Sequence, residues 1–181
     1  MKKNNILLIQ SAIILSALLI GSVAKAQSKK DSSLIKDCDT AKKEFLQTDA
    51  LMKNLFDSAY GYAIFPNIGK GGIAVGGAAG NGIIYEKGKI IGRAQMTQVN
   101  VGFQFGGQAY REVIFFEDKA TLDRFKEDKI EFSAQASAVA ATKGASTNVK
   151  YTNGVMIFTQ QKGGLMYEAS IGGQKFKFTP F

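Results

Sequence analysis

The chain has 181 residues and a formal charge of +8, with 23 Lys and Arg against 15 Asp and Glu. It has no histidine, Cys38 is its one cysteine, and Arg93, Arg111 and Arg124 are its arginines. These counts exclude a histidine-based catalytic triad, a two-histidine zinc helix and an internal disulfide, and they fall short of an arginine-rich nucleic-acid-binding surface.

The N-terminus reads as an export signal. Lys2 and Lys3 form a positive start, Ile6 to Ile20 is an apolar stretch, and Ala24 and Ala26 supply the small residues of a signal-peptidase site. Cleavage after Ala26 would remove Lys2, Lys3 and Lys25 and no acid, so the charge falls from +8 to +5. Cys38 lies well beyond the apolar stretch, which argues against a lipidated N-terminus, and a buried thiol is expected there. The expected organisation is a signal peptide over 1–26, a tether and helix over 27–47 and the main domain over 48–181.

Asp31 is a candidate N-cap for a first helix, whose apolar face is Leu34, Cys38, Ala41 and Phe45. Thr48 or Asp49 can cap a second helix carrying Leu51, Met52, Leu55, Phe56 and Ala59, with Gly61 as its stop. After Gly61 the texture turns to strand. Tyr62 to Phe65 and Gly72 to Gly80 come first, and Ile83 to Tyr85 and Ile90-Ile91 then flank a turn at Glu86-Lys87-Gly88-Lys89. Val99, Val101, Phe103 and Phe105 alternate with polar or small residues, so that Phe103 should point inward. Val113 to Phe116 is a buried strand, and Asp118 caps a short helix through Leu122 and Phe125. Phe132 to Ala141 alternates like a strand despite its alanines. Val155 to Phe158, Leu165 to Ile171 and Lys175 to Phe178 are the closing strands, joined at Gly163-Gly164 and Gly172-Gly173.

The ordered set of motifs resembles the SYLF domain family. Its pieces are Ile64-Phe65-Pro66, Lys70-Gly71-Gly72, the strand from Val101 to Gly107, and Val113 to Phe116 with the following helix. Lys162 to Met166 and Ser170 to Gly173 complete it. The resemblance implies an α+β domain: a mainly antiparallel, strongly twisted, glycine-rich sheet with a barrel-like core, two N-terminal helices and one short helix between strands. It also implies lipid binding. Eukaryotic relatives bind phosphoinositides and some bind actin, whereas an exported chain would not meet actin.

Catalysis finds little support. Gly69-Lys70-Gly71-Gly72-Ile73-Ala74 has dinucleotide-loop spacing, but further glycines follow where that loop must open a helix. Asp118, Asp123, Glu127, Asp128 and Glu131 are interleaved with basic residues, as on a solvated helix face. No catalytic residue, metal site or cofactor is expected, nor is nucleic acid as a partner. The better lead is basic. Lys70, Lys87, Lys89, Lys162, Lys175 and Lys177 are candidate headgroup contacts, with Lys175 and Lys177 on one face of the last strand and Lys162 near the end of its hairpin. The expected function is non-enzymatic binding of anionic phospholipid or a membrane surface in the envelope. The alternative is a structural or protein-interaction module with an envelope partner.

The export reading predicts a mature N-terminus at Gln27. Intact mass of the protein recovered from the envelope fraction checks this. Retention of residues 1–26, or acyl chains on Cys38, would contradict it.

Overall fold

A computed structural model describes residues 28–71, 75–101, 108–130, 137–147, 149–162, 168–170 and 173–181. The signal segment, and Phe103 with Phe105, lie outside the described residues. Helix α1 covers residues 28–48, and α2 is Met52–Ser58. Strands β1 (Gly61–Gly71), β2 (Val75–Glu86), β3 (Lys89–Val101) and β4 (Gln108–Phe116) follow. Helix α3 (Lys119–Lys126) precedes β5 (Ser137–Ala140), β6 (Val155–Gln161), β7 (Glu168–Ser170) and β8 (Gln174–Pro180). Asp37–Phe181 forms one compact unit, and 28–36 is a helical segment outside it.

Local chemistry explains most of these boundaries. Lys87 and Gly88 have φ of 49° and 76°, the positive-φ pair that a two-residue hairpin of right-twisted strands demands. Asp118 caps α3 by accepting the Thr121 N–H at 2.8 Å. Two helix starts differ from expectation. The chain is already helical at Ser28, so Asp31 lies inside α1 rather than at its cap. Asp49 does not cap α2, which begins after Leu51. Its carboxylate instead accepts the Leu51 N–H at 3.0 Å and the Ser146 N–H at 2.8 Å, tying the helix corner to the loop after β5. Burial alone would raise the Asp49 pKa, but these N–H donors outweigh it and hold the group below its ordinary value.

The strands form one eight-stranded sheet in the order β7-β5-β6-β4-β1-β2-β3-β8. All ladders are antiparallel except β5–β6. The strand expected over Phe132 to Ala141 is present at 137–140, and its first part lies outside the described residues. A correction concerns the C-terminus. The segments around Gly172-Gly173 were expected to pair as a hairpin, but β7 pairs with β5 and β8 pairs with β3, at opposite edges.

The sheet is strongly rolled but not closed by a β7–β8 ladder among the described residues. Phe65 on β1 lies 5.7 Å, centroid to centroid, from Phe176 on β8. Three ladders separate these strands, about 14 Å along a flat sheet. The inner face carries Ala63, Phe65, Ile68, Ile84, Met96, Ile114, Phe116, Ile157 and Phe176, with Leu122 and Phe125 of α3 packed against it. The outer face of β1, β4 and β6 is covered by helices. Phe56 of α2 packs edge-on against Tyr62 and Phe115, at 5.1 and 4.9 Å. The expected α1 stripe is borne out at Cys38, Ala41 and Phe45, all buried. Burial pushes the Cys38 thiol up to about 12, and its Sγ donates to the Ile64 carbonyl.

Close backbone approach is the reason for glycine at 82. A Cβ there would sit 2.5 Å from the Ile64 carbonyl oxygen and 2.7 Å from the Phe65 ring. Gly82→Ala should therefore destabilise the domain by about 1–3 kcal/mol. Gly88→Asn, at a positive-φ turn open to solvent, should be far milder. Urea unfolding of the two variants checks the ranking.

Candidate functional site

The rolled sheet sorts the six candidate lysines into separate places. Lys175 and Lys177 are exposed on β8, while Gln174 and Phe176 between and beside them are buried. This alternation turns both ammonium groups to the outside. They stand opposite Thr97 and Gln95 of β3, and Arg93 stands opposite Thr179 in the next outward row. Ala79 and Asn81 of β2, both exposed, extend the same rows. β3 and β8 contain no Asp or Glu, so the charged side chains that these two strands contribute are all cationic.

Lys87 and Lys89 are exposed at the β2–β3 turn, with Lys89 about 20 Å along β3 from Gln95. The Lys87 ammonium lies 5.1 Å over the Tyr60 ring. Nearby, the Tyr60 hydroxyl donates to Glu86 at 2.7 Å. The backbone of Lys70 pairs with Ala78 and Gln108, one row beyond the Gly69–Ala79–Thr97–Lys175 row. Lys162 does not join Lys175 and Lys177. It follows β6, five ladders from β8, and its ammonium donates to Asn67 Oδ1 on β1. Loss of solvation, then the Arg111 charge, lowers its pKa. The reason is topological: the hairpin that would have joined Lys162 to Lys175 is split between two edges of the sheet.

The structure therefore assembles Lys175, Lys177 and Arg93, and Arg93 was not singled out from sequence. Its signal was its outward phase on β3, which becomes informative once β3 and β8 are known to pair.

A second constellation also escaped the sequence reading. Gln98, Tyr110, Glu112, Thr159 and Gln174 are buried, none more than 3% exposed. Gln174 Nε2 donates to Glu112 Oε2 at 3.1 Å and lies 3.5 Å from the Tyr110 hydroxyl. Four ladders separate β8 from β4, so this contact crosses the rolled interior. Burial first, and then the Glu112 charge, pushes the Tyr110 hydroxyl pKa up. Thr159 stands opposite Glu112, and Gln98 opposite Gln174. An interior centred on an acidic side chain is a poor host for a phosphate, which leaves the outer face as the better anion-binding surface. Among the described residues, no cluster of three or more Cys, Asp or Glu could hold a metal ion. Among them, no helix is long and apolar enough to cross a membrane.

Residues 97–179 match a family, Ysc84, described as "Las17-binding protein actin regulator". The match takes in Glu112, Lys162, Gln174, Lys175 and Lys177, and begins after Arg93. The chain is also similar to Beta cell expansion factor A of Aeromonas veronii. The two are 32% identical over 140 residues, which is 76% of this chain and 53% of that protein. The chain thus spans about half the length of the curated relative it matches.

Gln174→Leu should lower stability by about 1.5–3 kcal/mol, because Glu112 loses a hydrogen bond while staying buried. A double change with Glu112→Leu should recover part of that loss, since no acidic group is then left in the interior. Chemical denaturation of the single and double variants checks this, and additive losses would contradict it.

Proposed function

Because the chain carries a SYLF-family domain, from a family of lipid- or actin-binding regulatory domains rather than of enzymes, we propose that it is an exported module that docks on anionic phospholipid through the outer face of β3 and β8. The observation that carries this reading is the placing of Arg93, Lys175 and Lys177 on the outer side of two paired strands that contain no Asp or Glu. Each cation near an anionic bilayer contributes about 1 kcal/mol, so three together give useful, salt-sensitive attachment. The export pattern at Lys2, Lys3 and Ala24 to Ala26 supports a periplasmic or envelope location for the proposed site, a compartment without actin.

The edge chemistry of β8 favours a surface over a partner strand. The Phe181 N–H points back to Ile91 on β3, so the alternate N–H groups face away from β3. Of these, the Phe178 N–H bonds to Asp128 Oδ1 at 3.2 Å, and Pro180 has no N–H to offer. A protein partner adding a strand would need those donors.

Lys175→Glu with Lys177→Glu reverses two charges and leaves the inward Phe176 untouched. The double variant should pellet far less than the parent with phosphatidylglycerol-rich liposomes, with little change in melting temperature. Parent binding should weaken between low and physiological salt, because exposed charges are screened over ~8–10 Å. Equal pelleting of both proteins in low salt would remove this face as the site. Failure of the parent to pellet with any anionic lipid would favour an envelope protein partner.

A further inference from the structure

Among the described residues, four large hydrophobic side chains are exposed: Leu51 at 49%, Ile90 at 38%, Val139 at 36% and Phe181 at 59%. Two of the four, Ile90 and Phe181, lie together at one end of the β3–β8 face. The Phe181 N–H donates to the Ile91 carbonyl at 3.3 Å, and Gly92 stands opposite Pro180. A bulge places Ile90 there. The β2–β3 register steps from Ile84↔Gly92 to Tyr85↔Ile90, leaving Ile91 as the extra residue. Ile91 packs against the inner core. Ile90 pairs with Tyr85, whose ring stacks on Tyr62 at 4.6 Å on the outer side, and so Ile90 is turned out. Just past the end of β8, Phe181 continues the outward phase of Lys175, Lys177 and Thr179. It lies about 13 Å beyond Lys177 along the strand.

Cations surround these two apolar groups. Lys87 and Lys89 are exposed at the turn beside Ile90, and Arg93 and Lys177 lie further along the face. Two acids at this end are both engaged: Glu86 accepts the Tyr60 hydroxyl, and Asp128 accepts the Phe178 N–H. Exposed apolar side chains ringed by basic ones complement one surface in particular, the headgroup–acyl boundary of an anionic bilayer. Surface charge alone holds a protein weakly and reversibly, and firm attachment takes a second, apolar contribution.

We propose that Ile90 and Phe181 are the apolar anchors of this domain, entering the acyl boundary while Lys87, Lys89, Arg93 and Lys177 hold the headgroups. This rests on the docking reading above and deepens it by fixing which end of the face goes into the lipid. The domain then lies with the β2–β3 turn and the end of β8 toward the bilayer. The α1–α2 corner at Leu51 stays in water.

The chain contains no tryptophan, so single Phe181→Trp, Ile90→Trp and Leu51→Trp variants report without background. On phosphatidylglycerol vesicles with brominated acyl chains, tryptophan at 181 and at 90 should shift to the blue and be quenched. Tryptophan at 51, already more exposed than residue 90, should do neither. Ile90→Ser with Phe181→Ser should weaken partitioning at physiological salt at least about tenfold, as loss of buried apolar area requires. The melting temperature should hold, and pelleting at low salt should persist through the cations. If the parent pellets but tryptophans at 90 and 181 stay unquenched, the anchors are wrong and docking by charge stands. Quenching at 51 instead would overturn the orientation. A parent that binds no vesicle overturns both readings together.

Discussion

The short link between β7 and β8 is the constraint on which the rest of the architecture depends. These strands are the two edges of an eight-stranded sheet, yet only residues 171–173 separate them in sequence. Four Cα steps span at most about 14 Å. Laid flat, the two edges would stand about 34 Å apart. The sheet must therefore roll until its edges face each other, and the aromatic contact between Phe65 and Phe176 is one consequence. A rolled interior is narrow, so large and small residues share it: Phe65, Phe116 and Phe176 with Ala63, Ala78 and Ala94. Where an aromatic ring crosses a neighbouring strand there is no room for a side chain, and Gly82 beneath Phe65 and Gly92 beneath Phe178 meet that demand.

Rolling also separates chemistries that lie next to each other in the chain. Arg111 and Glu112 are adjacent, so strand alternation sends them to opposite faces. Arg111 goes outward to Glu44 of α1 at 2.7 Å and to Gln160 at 2.8 Å. Glu112 goes inward to Gln174. The outward bond belongs to a polar seam that fixes α1 from Asp37 onward, together with Lys42 to Tyr62 and Gln160 to Thr48. The inward bond joins β4 to β8 across the interior. One dipeptide thus couples the helix layer to the roll of the sheet. The helices cover the outer face over β1, β4 and β6, and Lys175 and Lys177 are exposed on the outer face of β8.

Elements governed by neighbours in sequence were legible from sequence, and those governed by distant pairing were not. Asp118 as a cap, the Lys87-Gly88 turn, the buried run Val113 to Phe116 and the stripe Cys38, Ala41 and Phe45 each depend on residues within a turn or two. The partner of β8 depends on the β3 ladder, some eighty residues away in sequence, and no local pattern announces it. That gap produced the two errors that matter for the site: Lys162 was set beside Lys175, and Arg93 was overlooked. Glu112 was missed for a related reason. In sequence it reads as the polar start of a hydrophobic strand, and only the return of β8 across the interior gives it Gln174 as a neighbour. Asp31 and Asp49 show the limit of capping rules, since either could cap a helix and neither does.

Among the described residues no ladder joins β7 to β8, and a rolled sheet with open edges carries a liability that bears on function. Open edges offer unpaired backbone groups to any strand that approaches. Here β8 is protected along its last residues. Asp128 holds a left-handed backbone, with φ of 56°, and from there its carboxylate takes the Phe178 N–H. Asp128 follows directly from the end of α3, whose Phe125 packs on Phe176 at 4.9 Å. The helix that seals one end of the interior therefore also positions the group that blocks the edge. With the edge occupied, β8 presents its outward side chains, and these are two lysines, a threonine and, past Pro180, Phe181. A strand whose backbone is blocked and whose side chains are cationic and apolar is suited to meet a surface, which needs side-chain contacts and no ladder.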